Sequence, residues 1–146
     1  MKYIWALLCQ DSTVDINTNA LSIFKSVEEI ILEFKDQPLK KKEFIIPVKM
    51  QLISLWTAEN PAKNNLLEIK IDFLDPNGKS LINEEKKIDI AKGVKRARNI
   101  TDIKNLKITK EGRYMFKLSS IKSGGKKFET VAELPLDIKI IYKQLQ

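Results

Sequence analysis

Basic side chains gather between Lys86 and Arg98, and they are the residues of this chain that could hold an anion. The group consists of Lys86, Lys87, Lys92, Lys95, Arg96 and Arg98. Arginine can bind phosphate through two parallel hydrogen bonds, whereas lysine acts as a point charge. A solvated loop is the simpler interpretation, because no aromatic residue interleaves with the stretch to stack on nucleic-acid bases.

The overall charge permits both interpretations of this stretch. With 26 basic and 19 acidic residues, the chain has a net charge of +7. Such a charge attracts nucleic acid or anionic lipid. It also fits an ordinary lysine-rich surface that keeps a protein in solution.

The residues that most often carry catalysis are missing. The chain has no histidine and one cysteine, so the commonest general base and the commonest metal ligand are absent. A Ser-His-Asp triad is therefore impossible. Gly124-Gly125-Lys126 lacks the upstream glycine and the following hydroxyl residue of a P-loop, and nothing singles out a serine–lysine pair. We expect a protein that is not an enzyme, with no catalytic residue, metal site or cofactor.

Two weaker candidates for chemistry are a set of aspartates and the single cysteine. Asp11, Asp15 and Asp75 could bind calcium through oxygen if the fold brought them together. Aspartates in turns more often accept backbone hydrogen bonds. Cys9 ends the apolar run that begins at Tyr3, which predicts a buried, inert thiol.

Extended strands must position these residues, because large apolar side chains recur at every second position. The alternation is clearest from Leu67 to Phe73 and from Tyr114 to Leu118. Taken with the turn signals, it predicts an all-β, antiparallel β-sandwich of seven to nine strands. The predicted strands are Tyr3–Cys9, Ala20–Ser26, Phe44–Trp56, Leu66–Leu74, Ser80–Ile90, Asn99–Thr109, Gly112–Leu118 and Phe128–Ile141. The last of these is either one long strand or two strands joined at Pro135.

The segments between the strands contain one ambiguous element. Val27–Phe34 has apolar residues at helical spacing and a capping-box pattern before it, so we expect at most one short helix there. Asp36–Lys42 and Ala91–Arg98 are predicted to be loops. Pro47 predicts a strand edge or a bulge, and Pro135 predicts a bend or an edge. The whole chain, residues 1–146, has the length of a single domain.

The order of these signals resembles a family of small bacterial β-sandwich domains of unknown function. The matching segments are Ile4–Cys9, Asn19–Phe24, Asp75–Lys79, Gly112–Phe116 and Leu134–Leu136. The segment between Glu28 and Lys42 departs from the family pattern. A strand that begins Gly-x-Tyr-x-Phe is typical of immunoglobulin-like sandwiches, so the resemblance implies an immunoglobulin-like fold. It implies no activity and carries no catalytic residue across.

The function expected from these observations is that of a non-catalytic binding or interaction module. It would act through loops or an exposed strand edge, with another protein or a second copy as partner. The alternative is binding of nucleic acid or of an anionic membrane surface through residues 86–98. We expect a cytoplasmic location, because Tyr3–Cys9 has no cleavage site after it and no apolar run reaches the length of a membrane span.

Overall fold

β-strands form the regular structure in the computed structural model, which describes residues 1–35 and 43–143. No helix occurs in these two ranges. The all-β prediction is therefore confirmed, whereas the predicted loop Asp36–Lys42 lies outside the described residues. The strands are β1 (Lys2–Val14), β2 (Leu21–Ser26), β3 (Glu29–Phe34), β4 (Phe44–Thr57), β5 (Asn65–Leu74), β6 (Ser80–Ile90), β7 (Arg96–Ile108), β8 (Gly112–Ile121) and β9 (Phe128–Tyr142).

The strands form two sheets with a common interior. Sheet A has the order β2-β1-β4-β7, and sheet B has the order β3-β9-β8-β5-β6. Neighbouring strands are antiparallel, except that β3 runs parallel to β9. Buried residues of both sheets belong to one apolar cluster, with Leu52 and Trp56 from sheet A and Phe73 and Leu118 from sheet B. The arrangement is sandwich-like, as the alternation predicted.

The core consists of the alternating apolar residues that the sequence predicts to be buried. Leu67, Ile71, Phe116 and Ile138 are each at most 7% exposed. The ring of Phe73 packs on the ring of Phe116, with 4.6 Å between the centroids. Each large apolar side chain buried in this way contributes about 1.5–3 kcal/mol to stability.

The segment Val27–Phe34 crosses from sheet A to sheet B, and its second part is a strand rather than the short helix that the spacing of its apolar residues allowed. β2 pairs with β1 in sheet A, and β3 then pairs with β9 in sheet B. Ile30 and Leu32 pack against the core, while Ile31 is 55% exposed. The pairing of β3 with β9 satisfies backbone hydrogen-bonding groups of both strands, and β-branched residues favour strands. These effects outweigh the helical spacing of the apolar residues.

A bulge near the start of β1 changes the face of the sheet on which its later side chains lie. Tyr3 lies opposite Trp56, and Trp5 lies opposite Leu55, so the register shifts by one residue between them. Such a shift moves all the following side chains to the other face of the sheet. Tyr3 packs edge-on against Trp56 in the core at 5.6 Å between ring centroids. Trp5 therefore lies on the outer face of sheet A.

β1 continues past its predicted end and forms a hairpin with β2. The apolar run predicts an end at Cys9, but the strand extends to Val14 through polar residues. Its second half pairs with β2. The hydroxyl of Ser12 donates a hydrogen bond to the side-chain oxygen of Gln51 on β4 at 2.5 Å. This cross-strand bond satisfies the Ser12 hydroxyl, while Gln10 and Thr13 are exposed to solvent.

This β1–β2 hairpin folds back over the outer face of sheet A. A side-chain nitrogen of Arg98, on β7, donates to the carbonyl oxygen of Asn19 in the hairpin turn at 2.8 Å. Cys9 and Ile53 are completely buried, although they lie outside the core cluster between the sheets. The hairpin thus covers apolar side chains that an open sheet would expose.

Pro47 lies beside a bulge, as predicted, and Pro135 lies where β9 has a partner strand on one side only. The register between β4 and β7 shifts between Pro47 and Met50. Pro135 lies in the part of β9 that precedes its pairing with β3, which begins at Asp137. A proline has no amide hydrogen, so both positions avoid the loss of a ladder bond.

The corner between β7 and β8 is fixed by a tyrosine hydroxyl. The hydroxyl of Tyr114 accepts hydrogen bonds from the amides of Thr109 and Lys110 at 2.9 and 3.0 Å. It donates to the carbonyl oxygen of Lys110 at 2.6 Å. Tyr114 is fully buried, so this single side chain satisfies backbone groups that would otherwise lack partners.

Candidate functional site

Several chain connections lie at the same end of the molecule. Thr57, which ends β4, lies opposite both Lys2 at the start of β1 and Arg96 at the start of β7. Asn65 begins β5 and lies opposite Ile90, the last residue of β6. β8 runs antiparallel to β5, so the β8–β9 turn lies near the start of β5. The β4–β5 connection, the β6–β7 turn and the β8–β9 turn are therefore neighbours.

Exposed basic side chains dominate this part of the surface, which we call the basic end. Its basic residues are Lys2, Lys63, Lys92, Lys95, Arg96, Lys122, Lys126 and Lys127. Glu59, Asp89 and Glu129 are the nearby acids. Among the ion pairs of the described residues, only that of Lys122 with Glu129, at 3.0 Å, joins two members of these groups. Most of the positive charge is thus available to a ligand.

Backbone hydrogen bonds hold the β6–β7 turn in place. The amide of Gly93 donates to the carbonyl oxygen of Pro61 at 2.8 Å, and the amide of Ala58 donates to that of Lys95 at the same distance. Gly93 has a φ of 91°, a conformation that glycine adopts without strain. The lysine side chains of the turn therefore project from a fixed backbone.

Two of the predicted anion-binding residues lie away from the basic end. Lys86 and Lys87 are on β6, and both are engaged with other residues. The Lys86 ammonium group donates to the hydroxyl of Thr101 at 2.9 Å. Lys87 pairs with Glu68 at 3.2 Å. These two lysines are thus less available for a ligand than the residues that follow them.

The other four predicted residues lie together, but not all in a loop. Lys92 and Lys95 belong to the β6–β7 turn, whereas Arg96 and Arg98 lie on β7. The loop predicted for Ala91–Arg98 therefore ends earlier than expected. Because side chains alternate along a strand, the two arginines share one face of β7.

A groove on the outer face of sheet A joins these two arginines to Trp5. Its volume is about 470 Å³. It is lined by Trp5, Asn19, Leu21, Leu55, Arg96 and Arg98. No aromatic residue interleaves with the basic stretch in the sequence, but the fold brings one beside it. The bulge in β1 and the folded-back hairpin are responsible, and neither leaves a local signal in the sequence.

The hairpin turn that forms one wall of the groove is ordered by its own hydrogen bonds. The Asp15 carboxylate accepts the amides of Thr18 and Asn17, both at 2.8 Å, and these bonds lower the pKa of Asp15. Asn19 has a positive φ of 58°, and its carbonyl oxygen holds the Arg98 guanidinium. Arg98 is thus preorganised at the edge of the groove.

Cys9 is completely buried and unpaired, as predicted. Burial raises the pKa of the thiol, and the nearby Asp11 carboxylate raises it further. The thiol is therefore protonated near neutral pH, and a protonated thiol is a poor nucleophile and a poor metal ligand.

The three aspartates considered for calcium are engaged in separate local structures. Asp15 caps the hairpin turn, and Asp75 accepts two amides of the β5–β6 turn at 2.8 and 2.9 Å. Asp11 has a lowered pKa because it accepts the Ser12 amide and pairs with Lys49 at 3.4 Å. In the part of the chain that the structure describes, no group of three or more metal-ligating side chains occurs.

A second concave surface lies between the edge strands β6 and β7. This slot has a volume of about 260 Å³ and includes core residues Ile71, Phe73 and Phe116 in its lining. Glu84 and Lys104 also line it. At this slot the edges of β6 and β7 adjoin the core.

Comparison with known proteins identifies no family for this chain. No protein-family model matches the chain, and no curated protein matches it. Within residues 1–35 and 43–143, no helix has the length and apolar character needed to cross a membrane.

Proposed function

We propose that this chain is a non-catalytic binding module whose basic end holds the phosphate backbone of nucleic acid. The observation that carries the proposal is the position of Arg96 and Arg98, which lie beside lysine-bearing turns and share a groove with Trp5. The combination provides charge for phosphates and an aromatic ring for a base. Both are features of surfaces that bind single strands.

Charge and rigidity both support this function. A protein gains affinity for nucleic acid mainly by neutralising phosphates and releasing their counterions. The β6–β7 turn is held to the β4–β5 connection by backbone hydrogen bonds, and Arg98 is held by Asn19. Groups that are fixed before binding lose less conformational entropy when the ligand arrives.

Nucleic acid fits this surface better than a membrane does. Aromatic residues that anchor proteins to membranes insert an apolar surface into the lipid. Trp5 is instead only partly exposed and lies in a groove. An anionic membrane surface would contact the lysines but would leave the Trp5 groove without an occupant.

Binding of another protein or of a second copy through an exposed strand edge remains a prediction, and the slot between β6 and β7 would be its site. The free edge of β6 carries Glu84, Glu85, Lys86 and Lys87, and such charges disfavour the addition of another strand. This is why we favour the basic end as the binding surface. Size-exclusion chromatography with light scattering tests self-association directly.

We also infer an immunoglobulin-like sandwich in a reducing, cytoplasmic compartment. Tyr114 lies near the start of β8, and its hydroxyl donates to the carbonyl oxygen of Lys110, four residues upstream. This bond resembles the tyrosine corner of immunoglobulin-like domains and supports the inference. The only cysteine, Cys9, is buried and unpaired, which fits a compartment without disulfides. Membership of the bacterial β-sandwich family rests on the sequence resemblance alone.

The proposal is tested by fluorescence anisotropy with a labelled oligothymidine over a range of salt concentrations. The test variant replaces Lys63, Lys92, Lys95 and Arg96 with Ser. It should bind more weakly, and the slope of log Kd against log salt should fall by about 0.7 for each phosphate that the variant no longer neutralises. Arg98, which Asn19 holds, is left intact so that the hairpin keeps its anchor.

The matched control replaces Lys79, Lys104, Lys110 and Lys139 with Ser, and these are exposed basic residues away from the basic end. Both variants carry the same net charge, so a nonspecific charge effect would weaken them equally. The proposal requires the control to bind as tightly as the natural chain. Equal weakening of the two variants, or no binding by the natural chain at low salt, would overturn it.

A further inference from the structure

The geometry points to a base-stacking site in the Trp5 groove, and we propose that it receives one unpaired base of a single-stranded nucleic acid. This inference deepens the proposed function and rests on it. It assigns the roles within one site: Trp5 stacks on the base, while Arg96 and Arg98 hold the adjoining phosphates.

The composition of the groove matches a nucleotide unit. Trp5, Leu21 and Leu55 supply aromatic and apolar walls, and the two arginines supply positive charge at the same opening. A volume of about 470 Å³ falls within the range of about 300–1,000 Å³ that is typical of small-ligand sites. A planar ring attached to an anionic phosphate satisfies both parts of this lining.

The position of the groove favours a strand over a free nucleotide. Arg96 lies both in the groove lining and at the basic end. The charged surface therefore continues from the groove to the lysine-bearing turns. A chain of phosphates can follow this path, whereas a single nucleotide would use only the part beside Trp5.

The position of Trp5, partly buried in the lining of the groove, favours an unpaired base over a duplex. Bases in a duplex are stacked on their neighbours, and their faces are not available to a side chain. A single strand can turn one base into the groove without breaking a base pair. We therefore expect the chain to prefer single-stranded to double-stranded nucleic acid of equal charge.

The two tryptophans of the chain make the site observable. Trp56 is completely buried, and its indole nitrogen donates to the Ser54 hydroxyl at 2.8 Å. Trp5 is partly exposed in the groove. Quenching of tryptophan fluorescence by an added base therefore reports on Trp5, and it should disappear in the Trp5→Leu variant.

The test compares oligothymidine, a duplex with the same number of phosphates, and thymidine monophosphate. Trp5→Leu should weaken binding of the single strand about five- to 150-fold, the effect expected for one stacked base. Its binding of duplex should change little. Trp5→Phe should restore most of the affinity because it keeps an aromatic face, and circular dichroism with urea unfolding verifies that both variants fold.

The outcomes separate this inference from the proposed function. If Trp5→Leu binds the single strand as the natural chain does, while the basic-end variant binds weakly, the stacking site is overturned and the proposed function stands. Equal affinity for single strand and duplex overturns the stacking site in the same way. Equal affinity for thymidine monophosphate and the oligomer overturns the assignment to a strand. If the natural chain binds none of these ligands, both proposals fall.

Discussion

The guanidinium of Arg98 donates a hydrogen bond to the carbonyl oxygen of Asn19 at 2.8 Å, joining residues 79 positions apart. This bond links β7, at the edge of sheet A, to the turn of the β1–β2 hairpin. It holds the hairpin over the outer face of the sheet and also fixes the cation beside Trp5. One hydrogen bond therefore contributes both to the fold of the hairpin and to the shape of the proposed site.

We predict that Arg98→Lys loosens the hairpin turn. Lysine keeps the charge but lacks the planar fork of donors that reaches the carbonyl group. The amides of Asp15 and Asn19, which bond within the turn, should exchange with solvent about three to ten times faster, as expected for a partly exposed hydrogen bond. Arg96→Lys is the control, and equal exchange rates in the two variants would contradict the anchoring role of Arg98.

Tyr114→Phe should destabilise the domain by about 1–3 kcal/mol, because the amides of Thr109 and Lys110 lose their shared acceptor in a buried place. Urea unfolding measures this destabilisation. Tyr142→Phe is the matched control: its ring is 42% exposed, and removal of its hydroxyl should change stability very little. A Tyr114→Phe variant as stable as this control would show that the corner does not depend on the hydroxyl.

Gly112→Ala should destabilise the domain by about 1–3 kcal/mol through backbone strain, with a further destabilisation from a clash. Gly112 has a φ of 146°, and an added Cβ would lie 2.9 Å from Cγ of Pro76. Gly78 also has a positive φ, but an added Cβ there meets no atom within 4 Å. Thermal unfolding should therefore show a larger effect for Gly112→Ala than for Gly78→Ala, and the reverse order would be inconsistent with the close approach to Pro76.

The pKa of Asp137 should rise toward its ordinary value in Arg113→Gln. In the natural chain, the Arg113 guanidinium donates to both carboxylate oxygens at 2.9 and 3.3 Å and lowers the pKa of Asp137. The stability from this pair is thus present above the ordinary carboxyl pKa of about 3.9 and is lost as the pH falls through the lowered value.

NMR titration of the side-chain carboxyl carbons measures this change. Asp15 is an internal control, because its pKa is lowered by amides of its own turn and should be the same in both proteins. The overall stability should change little, because the pair is exposed to solvent. A titration of Asp137 that is unaffected by the substitution would exclude Arg113 as the cause.

Much of the fold can be predicted from local patterns. Alternation from Leu67 to Phe73 specifies both a strand and its buried face, because one face of each sheet packs on the core. Val27–Phe34 cannot be decided in this way, since its apolar residues fit a helical period as well as a strand. The pairing with β9 decides it, and β9 is more than a hundred residues away in the sequence.

Only part of the candidate site can be predicted from the sequence. The positive charge of Lys92–Arg98 is a local feature, so composition alone marks it as an anion-binding candidate. The contribution of Trp5 is not visible, because it depends on a one-residue bulge in β1 and on a hairpin that folds back over the sheet. The contribution of Lys63 to the basic end cannot be predicted from the sequence either. The β4–β5 connection that carries Lys63 is distant from Lys95 in the sequence and near it only in the folded chain.

The most direct test of the account is an amide NMR titration of the natural chain with oligothymidine. Shift changes should concentrate on Lys92–Arg98, on the β4–β5 connection and on the indole N–H of Trp5. The β5–β6 turn at Asp75–Lys79 should be unaffected. Shift changes confined to the slot between β6 and β7, or spread evenly over all exposed lysines, would contradict the assignment of nucleic-acid binding to the basic end.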